Sequence, residues 1–407
     1  MPRLAILSVH GCPVARLGEK DSGGMNVYVL EVAKELGRLG NPVEIYTRFH
    51  DPDEPQTVEI SENVTVVHIR AGSYSETKRT MHRHIPDFLD GLRLFRERAG
   101  LTYDMIHSHY WLSGYAGVEL SRELGVPHVA TFHTLGKRKL RSRPGEIESP
   151  LRLKVEAEVM KNVDKVVVST EEERDDVSRL YEFSRERVDV IPGGVNLNLF
   201  TRSDKIEARR ALGIQEDKVI LSVGRPEPLK GLDILVGALC RVDDLPNTRL
   251  VLVGGEPGRD RDLQRLQSIA GSLGVLDKIT FAGAVGHSDI PKYMNAADVF
   301  VMPSYHESFG LAALEAMACG VPVMASRVGG LKTIVRNGQT GYLIDWHCPE
   351  PFAQQLDVLL SNRALRETMG MEATARAEKM SWNRTVFALT KTYAGLTGKE
   401  WMVATGE

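Results

Sequence analysis

The stretch Val188-Asp189-Val190-Ile191-Pro192-Gly193-Gly194-Val195-Asn196-Leu197-Asn198-Leu199-Phe200 divides the chain. A strand ends at Ile191, and Pro192-Gly193-Gly194 punctuates it: proline lacks a backbone donor and paired glycines favour turns. On its N-terminal side, short apolar runs recur at Leu4–Val9, Val43–Tyr46, Val64–Ile69, Met105–His107, His128–Phe132 and Lys165–Val168. Amphipathic text lies between several of them. In Val27–Leu39, for example, Val29, Val32, Ala33, Leu36 and Leu39 fall at helical spacing. On the C-terminal side the pattern restarts with Val219–Val223, Arg249–Val253, Lys278–Phe281, Val299–Met302 and Val321–Ala325, with helical text near 230–242, 260–273, 289–296 and 310–319. Apolar strands separated by helices predict parallel sheets covered on both faces, so the fold class is α/β with two doubly wound units. The predicted domains are residues 1–194 and 195–380. In the remaining segment, 381–407, Ser381 can cap a helix with Trp382, Val386, Leu389 and Tyr393 on one face. That helix is expected to close its own domain or to pack back across the junction.

Composition bounds the function. Of 407 residues, 42% are hydrophobic and 26% charged, enough to bury full cores in a chain too long for one ordinary domain. There are 27 basic and 30 acidic residues before Val195, and 24 of each from there on. Neither half is basic, so a nucleic-acid partner is not expected. The four cysteines, Cys12, Cys240, Cys319 and Cys348, show no CxxC spacing and read as buried small side chains. Leu4–Val9 is too short for a signal-peptide core, and no run approaches a membrane span, so the expected location is cytoplasmic.

In doubly wound sheets, ligands bind beyond the carboxyl ends of the strands. The residues after each strand therefore carry the functional reading. After the first strand comes Asp21-Ser22-Gly23-Gly24-Met25-Asn26, where two glycines before a helix let backbone amides approach an anion. His107-Ser108-His109-Tyr110-Trp111 follows another strand. No carboxylate or cysteine at ligand spacing joins its two histidines, so no metal site is expected. His133, in Ala130-Thr131-Phe132-His133-Thr134, stands at a third strand end and is expected to face a cleft. Lys137–Arg143 reads KRKLRSR, either a solvated loop or a basic surface for a phosphorylated substrate or anionic lipid.

Farther on, Ser222-Val223-Gly224-Arg225-Pro226-Glu227-Pro228-Leu229-Lys230-Gly231 leaves a strand and enters a helix. Arg225 and Lys230 there suit a diphosphate, one through bidentate contacts and one as a compact charge. The sharpest feature is Glu307-Ser308-Phe309-Gly310-Leu311-Ala312-Ala313-Leu314-Glu315. It sets one glutamate in a loop and another on the following helix, with the amides of Gly310 and Leu311 at the positive end of the helix dipole. Such carboxylates can accept hydrogen bonds from sugar hydroxyls and from a ribose diol.

These elements together resemble the family 4 retaining glycosyltransferases of the GT-B fold. The matching pieces are Gly23-Gly24, His133, SVGRPEPLKG, the Glu307–Glu315 element, Gly329-Gly330 and Trp382. The resemblance implies two Rossmann-like domains facing a central cleft, and sugar transfer from a nucleotide sugar with retained anomeric configuration and no required metal or prosthetic group. It implies that Gly24, Arg225, Lys230, Glu307, Gly310, Leu311 and Glu315 bind the donor. Among them Arg225 and Lys230 would hold the diphosphate, Glu307 the sugar hydroxyls and Glu315 the ribose. His133, Glu307, Arg225 and Lys230 would be the catalytic set.

DSGGMNVYV and HSHYWLSG look like the glycosyltransferases that make N-acetylglucosaminyl-inositol phosphate. That likeness implies UDP-N-acetylglucosamine or UDP-glucose as donor, a homodimer, and an acceptor phosphate cradled by Asn26, Lys78, Tyr110, Thr134 and Arg152. His84-Ile85-Pro86-Asp87-Phe88 also resembles sucrose-phosphate synthases, which use a hexose phosphate. Other readings stay open at this level: a glycolipid or polysaccharide glycosyltransferase touching a membrane through Lys137–Arg143, a nucleotide-sugar epimerase, and a non-catalytic nucleotide-sugar binder. A dinucleotide dehydrogenase is disfavoured because GxGxxG with a downstream acidic residue is missing.

Overall fold

A computed structural model describes residues 1–15, 23–74, 76–78 and 80–403. Asp21 and Ser22 of the glycine motif, and the last four positions of the 381–407 segment, lie outside the described residues. The chain forms two compact units. The first contains Met1–Ala15, Met25–Pro192 and the segment from Trp382 on; the second contains, among the described residues, Gly23, Gly24 and Gly193–Ser381.

The first unit holds an eight-stranded sheet: β1 (Leu4–Leu7), β2 (Val43–Arg48), β3 (Thr57–Ser61), β4 (Val64–Ile69), β5 (Met105–His109), β6 (His128–Thr131), β7 (Lys165–Val168) and β8 (Val188–Val190). Their order is β3-β4-β2-β1-β5-β6-β7-β8. All pairings are parallel except β3 with β4. Leu4 to Leu7 are wholly buried, which is what helices on both faces demand of a central strand. Sequence reading missed β3, whose residues alternate between exposed and half-buried at the sheet edge and so lack a continuous apolar run.

The helix Gly24–Arg38 buries Val27, Val29, Val32, Ala33 and Leu36. The helix Trp382–Thr397 buries Trp382, Val386, Leu389 and Tyr393, the face its spacing predicts. Its Thr385 hydroxyl donates to the Pro192 carbonyl at 2.9 Å. The basic run Lys137–Arg143, read as a loop, is instead largely helical, within Gly136–Ser142. Carboxylate partners explain the difference: Arg138 pairs with Glu172 and Asp176, and Lys139 with Glu146 and Glu148. Lys137 donates to the Leu180 carbonyl and lies over the Tyr181 ring.

The second unit holds a fully parallel six-stranded sheet: β9 (Lys218–Val223), β10 (Thr248–Val253), β11 (Ile279–Gly283), β12 (Val299–Met302), β13 (Val323–Ser326) and β14 (Gly341–Ile344), in the order β11-β10-β9-β12-β13-β14. The short β14 was not anticipated. Its cores lie on both faces, one around Phe300 and Leu314, the other around Leu235 and Phe352. Among the described residues, no helix is long and apolar enough to cross a membrane.

Candidate active site

In the second unit, the residues singled out in sequence gather after β9 and β12. The turn after β9 places Arg225 beside Glu227, Nη1 to Oε1 2.9 Å. A short 3-10 turn, Pro228–Lys230, then ends at Gly231, whose φ of +62° is left-handed. A Cβ at Gly231 would stand 2.1 Å from the Pro303 carbonyl oxygen, so only glycine lets this turn close against the end of β12. The closure brings Lys230 Nζ within 2.7 Å of Glu307 Oε2.

Glu307 itself is held by its backbone, its carbonyl accepting from Gly330 N at 3.1 Å. Gly310, at φ +100°, starts the helix Leu311–Ala318. The first amides of any helix lack intrahelical acceptors, so Leu311 and its neighbours carry anion-seeking N–H groups. One turn on, Glu315 is buried and its Oε1 lies 2.7 Å from His287 Nε2. The two glutamates thus have different partners. Glu307 partners a lysine from the β9 turn, and Glu315 a histidine from the segment after β11. They do not form the facing carboxylate pair of a glycosidase.

In the first unit, Tyr110, Thr134 and Arg152 meet. Tyr110 begins the helix Tyr110–Leu124 at φ +75°. The Arg152 guanidinium lies 4.9 Å from its ring centroid and donates to the Thr134 carbonyl oxygen. Arg152 also donates to Glu156 at 2.7 Å and Glu148 at 2.6 Å, and is 4% exposed. Burial would lower its pKa, but Glu156, Tyr110 and Glu148 outweigh that and hold it above the ordinary arginine value. Sequence reading missed both glutamates, although they stand four residues either side of Arg152, the spacing of helical ion pairs. Glu156 further accepts from the Gly136 amide and the Tyr181 hydroxyl.

Asn26 is buried on its helix and donates to the Cys12 carbonyl at 2.6 Å. Gly24 opens that helix. Lys78 sits exposed in the turn between β4 and the helix Ile85–Arg98.

His133 adopts φ +58° after β6, an uncommon backbone for a side chain of its size. Its Nε2 lies 2.9 Å from His109 Nδ1, and the two rings stack with centroids 5.1 Å apart. His107 completes a chain, bonded to the Tyr393 hydroxyl at 2.7 Å and the Thr131 hydroxyl at 2.8 Å. Burial pushes the pKa of His107 and of His133 down to about 3, and that of His109 well below the usual value, so all three are neutral near pH 7. Two buried atoms beside them, the Tyr28 hydroxyl and His109 Nε2, have no hydrogen-bond partner among the described residues. His109, Tyr393 and His287 were not anticipated as site neighbours, since each arrives from a distant part of the sequence.

Two doubly wound parallel units, with cations, carboxylates and a helix N-terminus gathered at strand ends, define a GT-B glycosyltransferase. The pattern described as "Glycosyltransferase Family 4" matches residues 22–199, and "Glycosyl transferases group 1" matches residues 204–376. A D-inositol 3-phosphate glycosyltransferase of Thermobifida fusca is 39% identical over 96% of this chain and 93% of its own. Among solved structures, a sucrose-phosphate synthase from Thermosynechococcus elongatus superposes with a TM-score of 0.90 at 31% identity, covering 98% of this chain and all (100%) of that one. Anabaena HepE, solved in complex with UDP-glucose, shares the fold with a TM-score of 0.77 at 20% identity, covering 97% of this chain and 100% of that one. The chain belongs to the glycosyltransferase family 4, group 1 enzymes, in company with the D-inositol 3-phosphate glycosyltransferases.

Proposed function

We propose that this glycosyltransferase moves a hexosyl group from a UDP-sugar, UDP-N-acetylglucosamine or UDP-glucose, to inositol phosphate, with retention at the anomeric carbon. The observation that carries the acceptor reading is the meeting of Tyr110, Thr134 and Arg152 around one guanidinium. Relatives named for inositol 3-phosphate support it along nearly the whole chain. Asn26 and Lys78 complete the proposed acceptor set.

The donor reading rests on Lys230 and Glu307. The bond to be broken joins the anomeric carbon to phosphate, so a phosphate-binding cation and a sugar-binding carboxylate must be neighbours. Lys230 and Glu307 are 2.7 Å apart. Arg225, Lys230 and the amides at Gly310 and Leu311 would stabilise charge on the departing diphosphate. Preorganised donors of this kind contribute about 3–4 kcal/mol each. Gly24 lies on the proposed donor side, Glu315 holds the ribose, and His133 lines the reacting sugar as a neutral group. With a pKa near 3 its neutral ring is a weak base and a poor acceptor for the proton of the attacking hydroxyl. The acceptor proton therefore goes to the leaving phosphate.

A second reading, transfer to a hexose phosphate, is favoured by the 0.90 TM-score with the sucrose-phosphate synthase. A matrix of UDP-sugars against inositol phosphate, fructose 6-phosphate and their unphosphorylated forms, with the product anomer assigned by NMR, decides between them. Equal rates with unphosphorylated acceptors would remove the phosphate reading, and an inverted product the retaining one.

A further inference from the structure

Among residues that take no proposed part in sugar transfer, Cys12, Glu54 and His68 converge. Each offers one ligand atom, and the three atoms lie within 4.8 Å of one another. Cys12 follows β1, Glu54 sits in the loop after β2, and His68 is on β4. No spacing rule links them in sequence.

The imidazole is oriented for ligation. His68 Nδ1 lies 2.7 Å from the Pro55 carbonyl oxygen, which can only accept, so Nδ1 carries the proton. Nε2 is then a bare lone pair, and it points at Cys12 Sγ from 3.4 Å. A histidine fixed through its other nitrogen by a carbonyl is the usual outer-sphere arrangement of metal-binding imidazoles. Zinc bonded at about 2.3 Å to sulfur and about 2.0–2.1 Å to nitrogen, in tetrahedral geometry, sets sulfur and nitrogen roughly 3.5 Å apart. The carboxylate is oriented too, its Oε2 accepting from the amides of His50 at 2.7 Å and Asp51 at 3.2 Å. Thiolate, imidazole and carboxylate together form a borderline donor set suited to zinc rather than to magnesium or calcium.

We propose that Cys12, His68 and Glu54 bind one Zn²⁺ ion, with a fourth position left to solvent. Binding exchanges the Cys12 thiol proton for the metal: a sulfur–zinc bond forms, the S–H bond breaks and one proton leaves to buffer. The ion ties the segment after β1 to β4 and to the β2 loop. The Cys12 carbonyl also receives Asn26, so the metal steadies the support of a proposed acceptor residue.

The test uses the whole protein, dialysed against a chelator and titrated with Co²⁺ as an optical probe. A single saturable equivalent should appear with a sulfur-to-cobalt charge-transfer band, bleached by Zn²⁺. Cys12→Ser should lose the band, and His68→Gln should weaken Co²⁺ binding more than about tenfold, the lower end of what even outer-sphere losses cost. Should Cys12→Ser fail to fold, Glu54→Gln serves instead: it should keep the band and bind more weakly. Wild-type protein without a charge-transfer band under saturating Co²⁺, or a His68→Gln variant that binds as the wild type does, overturns the site and leaves a thiol–imidazole hydrogen bond.

Discussion

The Lys230 ammonium donates to Glu307 at 2.7 Å, tying the turn after β9 to the loop after β12. On the proposed donor reading, a diphosphate arrives at a lysine already positioned by a carboxylate. Lys230→Ala should lower kcat/KM by about two orders of magnitude, near 3 kcal/mol. Arg225→Ala should do the same. Steady-state kinetics with the UDP-sugar checks this, and near-wild-type rates would end the diphosphate assignment.

Arg152 behaves differently from a surface phosphate ligand. Removing it leaves Glu156, which is wholly buried, without its guanidinium. Breaking such a pair from one side typically costs about 3–5 kcal/mol. Arg152→Ala should thus lower stability as well as raise the acceptor KM. Lys78→Ala, at an exposed lysine, should raise the acceptor KM with the denaturation midpoint unchanged. Urea titration run beside the kinetics separates the two.

His287 Nε2 lies 2.7 Å from Glu315, the residue proposed to hold the ribose. His287→Ala should raise the donor KM by about tenfold, one hydrogen bond's worth to a charged group, with kcat little changed. His287→Gln should restore part of it. A fall in kcat alone would mean that Glu315 is not oriented through this contact.

Glu173 gives the first unit a pH signature. It lies in the first turn of the helix Glu171–Tyr181, whose cap Thr170 accepts from the Glu173 amide, and its carboxylate accepts from the Ser169 amide at 3.0 Å. Burial pushes its pKa up to about 7 from an ordinary 4.5. The folded state then holds a proton that the unfolded state has released. That contribution is full below about pH 4.5 and is lost as pH rises towards 7. Chemical denaturation between pH 5 and 7 should show wild-type stability falling relative to Glu173→Gln, by at most about 1.4 kcal/mol per pH unit. Parallel curves would place the carboxylate in its ordinary range.

The parallel strands were legible because burial on both faces writes them as unbroken apolar runs, as in Leu4–Leu7. The edge strand Thr57–Ser61 was not, because one-sided exposure erases that signal. The same divide runs through the site. Arg225 and Lys230 each adjoin a glycine after a strand end, and Glu307 and Glu315 flank the Gly310 turn, so local text exposes them. Their supports are harder to read. His287 reaches Glu315 across 28 positions and Tyr393 reaches His107 across 286, and no local pattern encodes such meetings. Only the Arg152 partners lay within reach, at helical spacing.

The first unit is written in separated pieces, and its last piece comes at the end of the chain. Trp382 packs edge-on to Tyr28 with ring centroids 5.5 Å apart, and Tyr393 supplies the partner of His107. A ribosome releases that helix only after the entire second unit has emerged. Domains generally fold as units while they are being made. The second unit, which apart from its N-terminal glycines runs from Gly193 to Ser381, is thus the first that can be finished, although most of it is translated later. The N-terminal sheet waits, with His107 still lacking its tyrosine, so a premature stop before Trp382 would spoil the half of the enzyme that had already been synthesised.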